Sequence, residues 1–124
     1  MTGIVVFAHG SRIESANQAV RDVAQRMGES EKYPVEPAFL ELGEPDLAGA
    51  VERLVSRGAA RIVVIPYFLT LGTHLQRDLP RLAAEVARRY QNIAIQVTSP
   101  LDGHPALLEA LLDRANEAAA KNAV

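Results

Sequence analysis

The sequence predicts a single α/β domain built on a parallel four-stranded sheet. Apolar runs of strand length alternate four times with segments whose apolar residues recur at helical spacing. The first run, residues 4–8, is continuously apolar, which is typical of a strand buried on both faces. A chain of 124 residues has the length of one domain with a real core. Parallel strands need crossover connections, so the alternation predicts helices on both faces of the sheet.

The first two strand–helix units cover the N-terminal half. A helix over about residues 15–27 follows the first strand, and its apolar positions recur every three or four residues. Residues 35–42 are the second strand. Pro37 inside this strand indicates an edge position, because proline cannot donate to a β-ladder. Residues 45–56 are the second helix, which has proline in its first turn and is ended by Gly58.

The third unit begins with residues 61–69, a strand that we again expect to be buried on both faces. Asp78 is placed to cap the helix that follows, with Pro80 in its first turn, and this helix runs to about Tyr90. On this interpretation residues 70–77 form a loop or a short turn.

The fourth unit pairs a strand over residues 93–97 with a final helix that starts at Pro105. The apolar face of that helix consists of Leu107, Leu108, Leu111, Leu112 and Ala115. No repeat or linker interrupts the four units, so we expect residues 1–124 to form one domain.

The composition argues against several classes of protein. Thirteen basic residues against fifteen acidic ones, and only three Tyr, three Phe and no Trp, make nucleic acid an unexpected partner. The absence of cysteine removes disulfides, thiolate metal sites and cysteine nucleophiles. The first strand starts within about four residues of Met1, which leaves no room for a signal peptide. No apolar run approaches the roughly 18 residues that span a bilayer. We therefore expect a cytoplasmic protein that does not insert into membranes.

Four chemically active side chains follow the predicted strands. The three histidines, His9, His74 and His104, each lie shortly after a strand, and Glu41 ends the remaining one. In a parallel sheet these carboxyl ends meet at one edge, where ligands bind at the point of reversed strand order. With the order 2-1-3-4, His9 and His74 would lie on the two sides of that crevice.

His9 is the strongest single candidate, although a histidine at a strand end can also be a simple structural residue. A neutral imidazole there can bind a divalent metal ion or accept a proton. Gly10 permits a ligand to approach the backbone closely, and Ser11 and Arg12 lie at the start of the crossover, where free N–H groups favour anions.

The functional interpretation of the other candidates depends on the presence of His9 at the same predicted edge of the sheet. Glu41 stands between two leucines, so we expect its carboxylate to be partly desolvated, which would raise its pKa and make it a usable base or metal ligand. His74 lies in the predicted loop after the third strand. For His104 the simpler interpretation is a side chain that caps the last helix. The candidate substrate-binding residues are Gly10, Ser11, Arg12, Gly72, Thr73 and Arg77.

Three segments resemble a known family, the class II tetrapyrrole chelatases. They are "VFAHGSR", "FLELGEPDL" and "PYFLTLGTHLQRDLP", and the similarity is closest to the small CbiX-type sirohydrochlorin chelatases of siroheme and cobalamin synthesis. The resemblance extends over about residues 4–112. It implies a flavodoxin-like three-layer αβα sandwich and the insertion of cobalt or iron into sirohydrochlorin without ATP. Histidine and carboxylate ligands accept nickel as well as cobalt and iron, so nickel is a third candidate, and we expect no cofactor beyond the metal.

The resemblance also assigns roles to individual residues. The metal-binding histidines of the family fall on His9 and His74, and the acidic residue that helps to remove pyrrole protons falls on Glu41. His104 matches no such position. Larger relatives carry two lobes in one chain, and small members are homodimers, which implies a homodimer here.

Two other functions remain open from the sequence. A carrier for a metal ion or a tetrapyrrole would use the same histidines without catalysis. A hydrolase would use Ser11 with a histidine as base, but the chain has no G-x-S-x-G motif.

Overall fold

Strands and helices alternate along the chain in the computed structural model, which describes residues 1–30, 32–68 and 70–122. The strands are β1 (Thr2–Ala8), β2 (Val35–Phe39), β3 (Arg61–Pro66) and β4 (Ala94–Val97). The helices are α1 (Glu14–Ser30), α2 (Leu47–Ser56), α3 (Thr73–Ala87) and α4 (Pro105–Asn122). None of the helices in the described ranges is long and apolar enough to cross a membrane.

The strands form one parallel sheet in the predicted order β2-β1-β3-β4. Ile4 of β1 is aligned with Val35 of β2 and with Val63 of β3, so β1 lies inside the sheet. This position explains its continuous apolar run. β2 is an edge strand, as Pro37 predicted. The fold class is therefore confirmed, and the carboxyl ends of the strands share one edge of the sheet.

Helices pack on both faces of the sheet. On one face, α1 covers β1 and β2, and the buried side chains there are Val6, Ala8, Val20, Ala24 and Phe39. On the other face, α2 and α3 cover a larger core that includes Val5, Phe7, Leu54, Ile62, Val64 and Leu79. Asp46 caps the N-terminus of α2, since its side chain accepts from the Gly49 N–H at 2.8 Å. Gly58, with φ of +99°, follows its end.

The second face of β3 is less covered than the sequence predicted. Alternate residues of β3 are buried, but Val63 and Ile65, which lie on the α1 side of the sheet, are only half-buried. The expectation that this strand is buried on both faces is therefore wrong. The physical reason is that α1 reaches β1 and β2 only, while α4 does not pack over β3. Leu69, at the end of the predicted strand, lies outside the described residues.

The final helix is present, but its apolar face is exposed. Leu108, Leu111 and Leu112 are 62 %, 61 % and 53 % exposed, and Leu107 is the only partly buried side chain among residues 105–121. α4 is thus an amphipathic helix with no partner in the described part of the chain.

The start of α3 differs from the sequence prediction. The helix begins at Thr73 after an extended Gly72, so Asp78 does not cap it and Pro80 lies in its interior. The segment before Asp78 contains Leu, Gln and Arg, which favour helix, and α3 continues through Pro80 although an interior proline removes the backbone hydrogen bond to the residue four positions earlier. The consequence is that His74 lies in the first turn of a helix and not in a loop.

Candidate functional site

His9 and Glu41 meet at the carboxyl edge of the sheet. His9 directly follows β1 and Glu41 lies two residues after β2, and these two strands are neighbours. His9 Nε2 and Glu41 Oε1 are 3.3 Å apart. The backbone ladder continues past the strands to this point, because the Glu41 N–H donates to the His9 carbonyl at 3.1 Å. The sequence prediction that topology brings these two residues together agrees with this geometry.

Both side chains of this pair are open to solvent. The His9 and Glu41 side chains are 54 % and 58 % exposed. The expectation that Glu41 is desolvated is therefore wrong. The neighbouring leucines do not shield it, because β2 ends at Phe39 and Leu40 and Leu42 are themselves exposed. An exposed carboxylate can still accept a proton and pass it to water.

Gly10 is required by the close approach of two backbone segments. Its φ is +96°, and a Cβ placed on it would lie 1.7 Å from the Glu41 carbonyl oxygen. Any side chain would therefore displace the segment that carries Glu41. The backbone that approaches Gly10 within the chain is that of Glu41, and this contact holds the His9 and Glu41 segments together.

Asn17 is a residue that the sequence analysis did not identify. It is 2 % exposed and lies in α1, on the same side as Val20 and Ala24. Its side-chain oxygen accepts from the Ser11 N–H at 2.9 Å, and its amide nitrogen donates to the carbonyls of Ser11 at 2.9 Å and Leu42 at 2.8 Å. The sequence feature that could have identified Asn17 is its position, since it is a polar residue on the same face of the helix as the apolar residues.

Phe68 lies against the imidazole of His9. The ring centroids are 6.3 Å apart and the rings are nearly perpendicular, at 89°. Phe68 also packs on Phe7, at 6.4 Å between centroids. An edge-to-face contact of this kind restricts how the imidazole can rotate.

Exposed apolar side chains come from three connections at the same edge of the sheet. Ile13 is 66 % exposed and follows β1, Leu40 and Leu42 are 36 % and 52 % exposed and follow β2, and Tyr67 is 40 % exposed and follows β3. Because ligands bind at this edge of a parallel sheet, these exposed apolar side chains are available to a ligand there.

His74 lies in the first turn of α3, exposed to solvent. The first N–H groups of a helix have no partner within it, and Gly72 has no side chain to accept from them. Among the described residues, no three His, Asp or Glu side chains lie close enough to hold one metal ion, so His74 does not join His9 and Glu41 as a third ligand.

The remaining candidate residues have different surroundings in the structure. His104 is the helix-capping residue that the sequence favoured, since its Nδ1 accepts from the Ala106 N–H at 3.0 Å. The Ser11 hydroxyl oxygen accepts from the Ile13 N–H at 3.0 Å. Arg12 is exposed near His9, and Arg77 in α3 lies 3.6 Å from the carboxylate of Asp78.

A family model and several relatives match this chain. The CbiX family model matches residues 3–118. The chain is 37 % identical over 130 aligned residues to a sirohydrochlorin cobaltochelatase of Saccharolobus solfataricus, with 98 % of this chain and 99 % of the relative covered. It is 39 % identical over 113 residues to a chloroplastic sirohydrochlorin ferrochelatase of Arabidopsis thaliana, but it spans only 50 % of that relative's length, against 90 % of its own.

Solved structures match over nearly the whole chain. A CbiX protein of Marinobacter aquaeolei VT8, described as one of cobalamin biosynthesis, aligns with a TM-score of 0.87 at 27 % identity, covering 98 % of this chain and 99 % of that one. The sirohydrochlorin chelatase SirB of Bacillus subtilis subspecies spizizenii, in complex with cobalt, aligns with a TM-score of 0.85 at 30 % identity. That alignment covers 94 % of this chain and 50 % of the Bacillus chain.

Proposed function

The chain belongs to the CbiX family, and from this we propose that it inserts a divalent metal ion, cobalt or iron, into sirohydrochlorin without ATP. The observation that carries the proposal is the His9–Glu41 pair, 3.3 Å apart at an open edge of the sheet. The names of the Saccharolobus and Arabidopsis relatives indicate the substrate and the two metals. Because imidazole and carboxylate ligands also accept nickel, that ion belongs to the same class of substrate.

The proposed reaction exchanges two protons for one metal ion. The divalent ion leaves its water ligands, the two pyrrole N–H bonds break, and four ring nitrogens take the ion. His9 and His74 each bind the ion on its way to the ring, without forming one three-ligand site with Glu41, and Glu41 accepts the pyrrole protons. The exposure of Glu41 suits this role, since each proton can leave to bulk water before the next is taken up.

The edge of the sheet offers matching partners for a flat polycarboxylate. The macrocycle would lie against the exposed apolar group of Ile13, Leu40, Leu42 and Tyr67. Its carboxylates would meet the free N–H groups at Gly72 and Thr73, the Gly10 backbone, and the guanidinium groups of Arg12 and Arg77. The Ser11 N–H is not free, since it donates to the Asn17 side chain, so Ser11 would offer its hydroxyl proton instead.

The two alternative functions have less support. A metal or tetrapyrrole carrier would need the same histidines but no proton acceptor, and the contact between His9 and Glu41 favours the enzyme. A hydrolase would need Ser11 hydrogen-bonded to a histidine. In the described part of the chain its hydroxyl oxygen serves the Ile13 N–H, and no hydrogen bond joins it to a histidine.

Steady-state metal insertion tests the proposed function. Sirohydrochlorin and Co²⁺ or Fe²⁺ are mixed with a small amount of the protein, and the change in the visible absorption of the macrocycle is followed. We expect many turnovers per chain. Stoichiometric binding without turnover would support the carrier instead, and competition between metal ions would rank them.

We also propose that the active form is a homodimer. A single chain offers the macrocycle one edge, so it covers one face of the ring. The leucine face of α4 and the half-buried Val63 and Ile65 on β3 are apolar surfaces without a partner in the described residues. If each copy placed its α4 over this part of the other copy's sheet, both apolar surfaces of both chains would be covered in a twofold symmetric dimer.

A charge on the leucine face should dissociate such a dimer. The unaltered protein is expected to sediment with twice the chain mass of 13.4 kDa, and Leu111→Glu to sediment as single chains, because an unpaired carboxylate would be buried in the interface. Ala110→Glu adds the same charge one turn before Asp113 and Arg114, on the polar side of α4, and should leave the mass unchanged. A fully active protein with the mass of one chain would refute the homodimer.

A single domain over residues 1–124 and a cytoplasmic location complete the proposal. The composition supports the location, although the Arabidopsis relative is chloroplastic by name.

A further inference from the structure

The contact between His9 and Glu41 cannot hold itself in place. Both side chains are more than half exposed, and pairs of this kind contribute little because water screens them and long side chains lose entropy. Their proximity must therefore be imposed by the backbone segments that carry them, residues 9–13 and residues 40–46. The question is which contacts join these two segments beyond the ends of the strands.

The β-ladder ends where the two functional side chains begin. Its last links are the Leu40 N–H donating to the Ala8 carbonyl at 2.9 Å and the Glu41 N–H donating to the His9 carbonyl at 3.1 Å. One residue farther along, at Leu42, the link is a side chain: the Asn17 amide nitrogen donates to the Leu42 carbonyl. Asn17 thus extends the connection between the segments past the point at which strand pairing stops.

The oxygen and both N–H bonds of the Asn17 amide are used in this arrangement. One oxygen accepts from the Ser11 N–H, and the two N–H bonds go to the carbonyls of Ser11 and Leu42. Only an amide has one acceptor and two donors on one planar group, so neither aspartate nor leucine of similar size can make these three bonds. A carboxylate would face two carbonyl oxygens.

The backbone conformation at Leu42 indicates that the hydrogen bond from Asn17 stabilises the turn at this residue. Leu42 has φ of +58°, a conformation that costs energy for a residue with a side chain. In this conformation its carbonyl meets the Asn17 amide, and the chain reverses directly after Glu41. The hydrogen bond to a buried amide compensates for the strained turn, and the turn sets the direction from which the Glu41 side chain approaches His9.

We infer that Asn17 is a positioning residue, which holds Glu41 against His9 by joining the Ser11 and Leu42 backbones. It touches neither side chain and would act only through them. The activity test of this inference rests on the proposed function. Its failure can be told apart, because a protein with no turnover refutes the function before Asn17 is changed.

The decisive experiment measures Asn17→Ala in two backgrounds, the unaltered chain and Glu41→Gln. In the unaltered chain we expect kcat for metal insertion to fall at least about tenfold, with little change in KM for the tetrapyrrole, because geometry and not binding is lost. In the Glu41→Gln background, where the proton acceptor is already gone, the further fall in kcat should be less than about threefold. The loss of stability to urea should be the same in both.

This comparison separates positioning from a purely structural role. A structural residue would lower kcat by the same factor in both backgrounds, and that result would overturn the inference while leaving the proposed function standing. Gln18→Ala is the matched control, because Gln18 is the next residue of α1 and is exposed; it should change neither kcat nor the coupling. If Asn17→Ala does not stay folded, Asn17→Ser, whose hydroxyl can donate to one of the two carbonyls, is measured in the same two backgrounds. The same non-additivity is then required.

Discussion

Gly10→Ala is expected to lower both stability and activity more than alanine at any other glycine of this chain. The added Cβ would lie 1.7 Å from the Glu41 carbonyl oxygen, and φ of +96° is itself unfavourable for alanine. The two segments must move apart, which removes the hydrogen bond from the Glu41 N–H to the His9 carbonyl. We expect a loss of roughly 2–4 kcal/mol in the free energy of unfolding.

The activity should fall further than the stability alone implies. At a temperature where the variant stays folded, a displacement of about 1 Å between His9 and Glu41 is expected to slow metal insertion on the order of 10²-fold. Urea unfolding and the absorption assay measure the two effects separately.

Gly28→Ala is the control for this substitution. Gly28 lies within α1, and its added Cβ would meet Val35 only at ordinary contact distance, 3.9 Å. It should be as stable as the unaltered chain or slightly more so, since alanine favours helix over glycine. If Gly10→Ala behaves like Gly28→Ala, the close contact with Glu41 does not exist in solution.

The sheet was predictable because its signals are local and redundant. The unbroken apolar run of β1 and Pro37 in β2 each indicate a position in the sheet, and alternation with helices leaves few topologies. The same reasoning brought His9 and Glu41 to one edge, since both follow strands that are neighbours. What this reasoning needs is the order of the strands, not the positions of side chains.

The features that the sequence did not reveal depend on contacts between distant segments. From the sequence, Asn17 is one more polar residue of a surface helix. Its role depends on contacts with Ser11 and with Leu42, which is 25 residues away along the chain. Asp78 and Pro80 form a plausible helix start, but α3 begins at Thr73, five residues before Asp78, and continues through Pro80. The exposed face of α4 has the same pattern as a buried one, because periodicity reports amphipathicity and not what covers it.

The exposure of Glu41 illustrates the same limit. Two flanking leucines suggested an apolar environment, but neighbours in sequence surround a residue only when the backbone directs them inward. After β2 ends, Leu40 and Leu42 turn to solvent with Glu41. Their exposure then becomes evidence of another kind, because it places apolar surface beside the proton acceptor.

Replacing His9 and His74 with alanine should abolish metal insertion while leaving the fold intact. Both side chains are exposed, so their loss opens no cavity, and unfolding free energies should stay within about 0.5 kcal/mol of the unaltered protein. His9→Ala alone removes the imidazole beside Glu41 and is expected to lower turnover by about 10²–10⁴-fold, the range typical of a proton-transfer or ligand group in an active site. His74→Ala should chiefly raise the metal concentration needed for half-maximal rate.

His104→Ala is the matched control, because it removes the third histidine of the chain at a position where it only caps α4. It should leave the rate of metal insertion unchanged. Turnover in the double variant His9→Ala, His74→Ala at the rate of the unaltered protein would refute the assignment of the metal path to these residues. A loss of rate in His104→Ala equal to that in His9→Ala would show that imidazoles act here without regard to their place at the edge of the sheet. Alanine variants of the three histidines can therefore be compared directly. Each histidine follows a strand, but in the described residues only His9 lies within contact distance of a carboxylate.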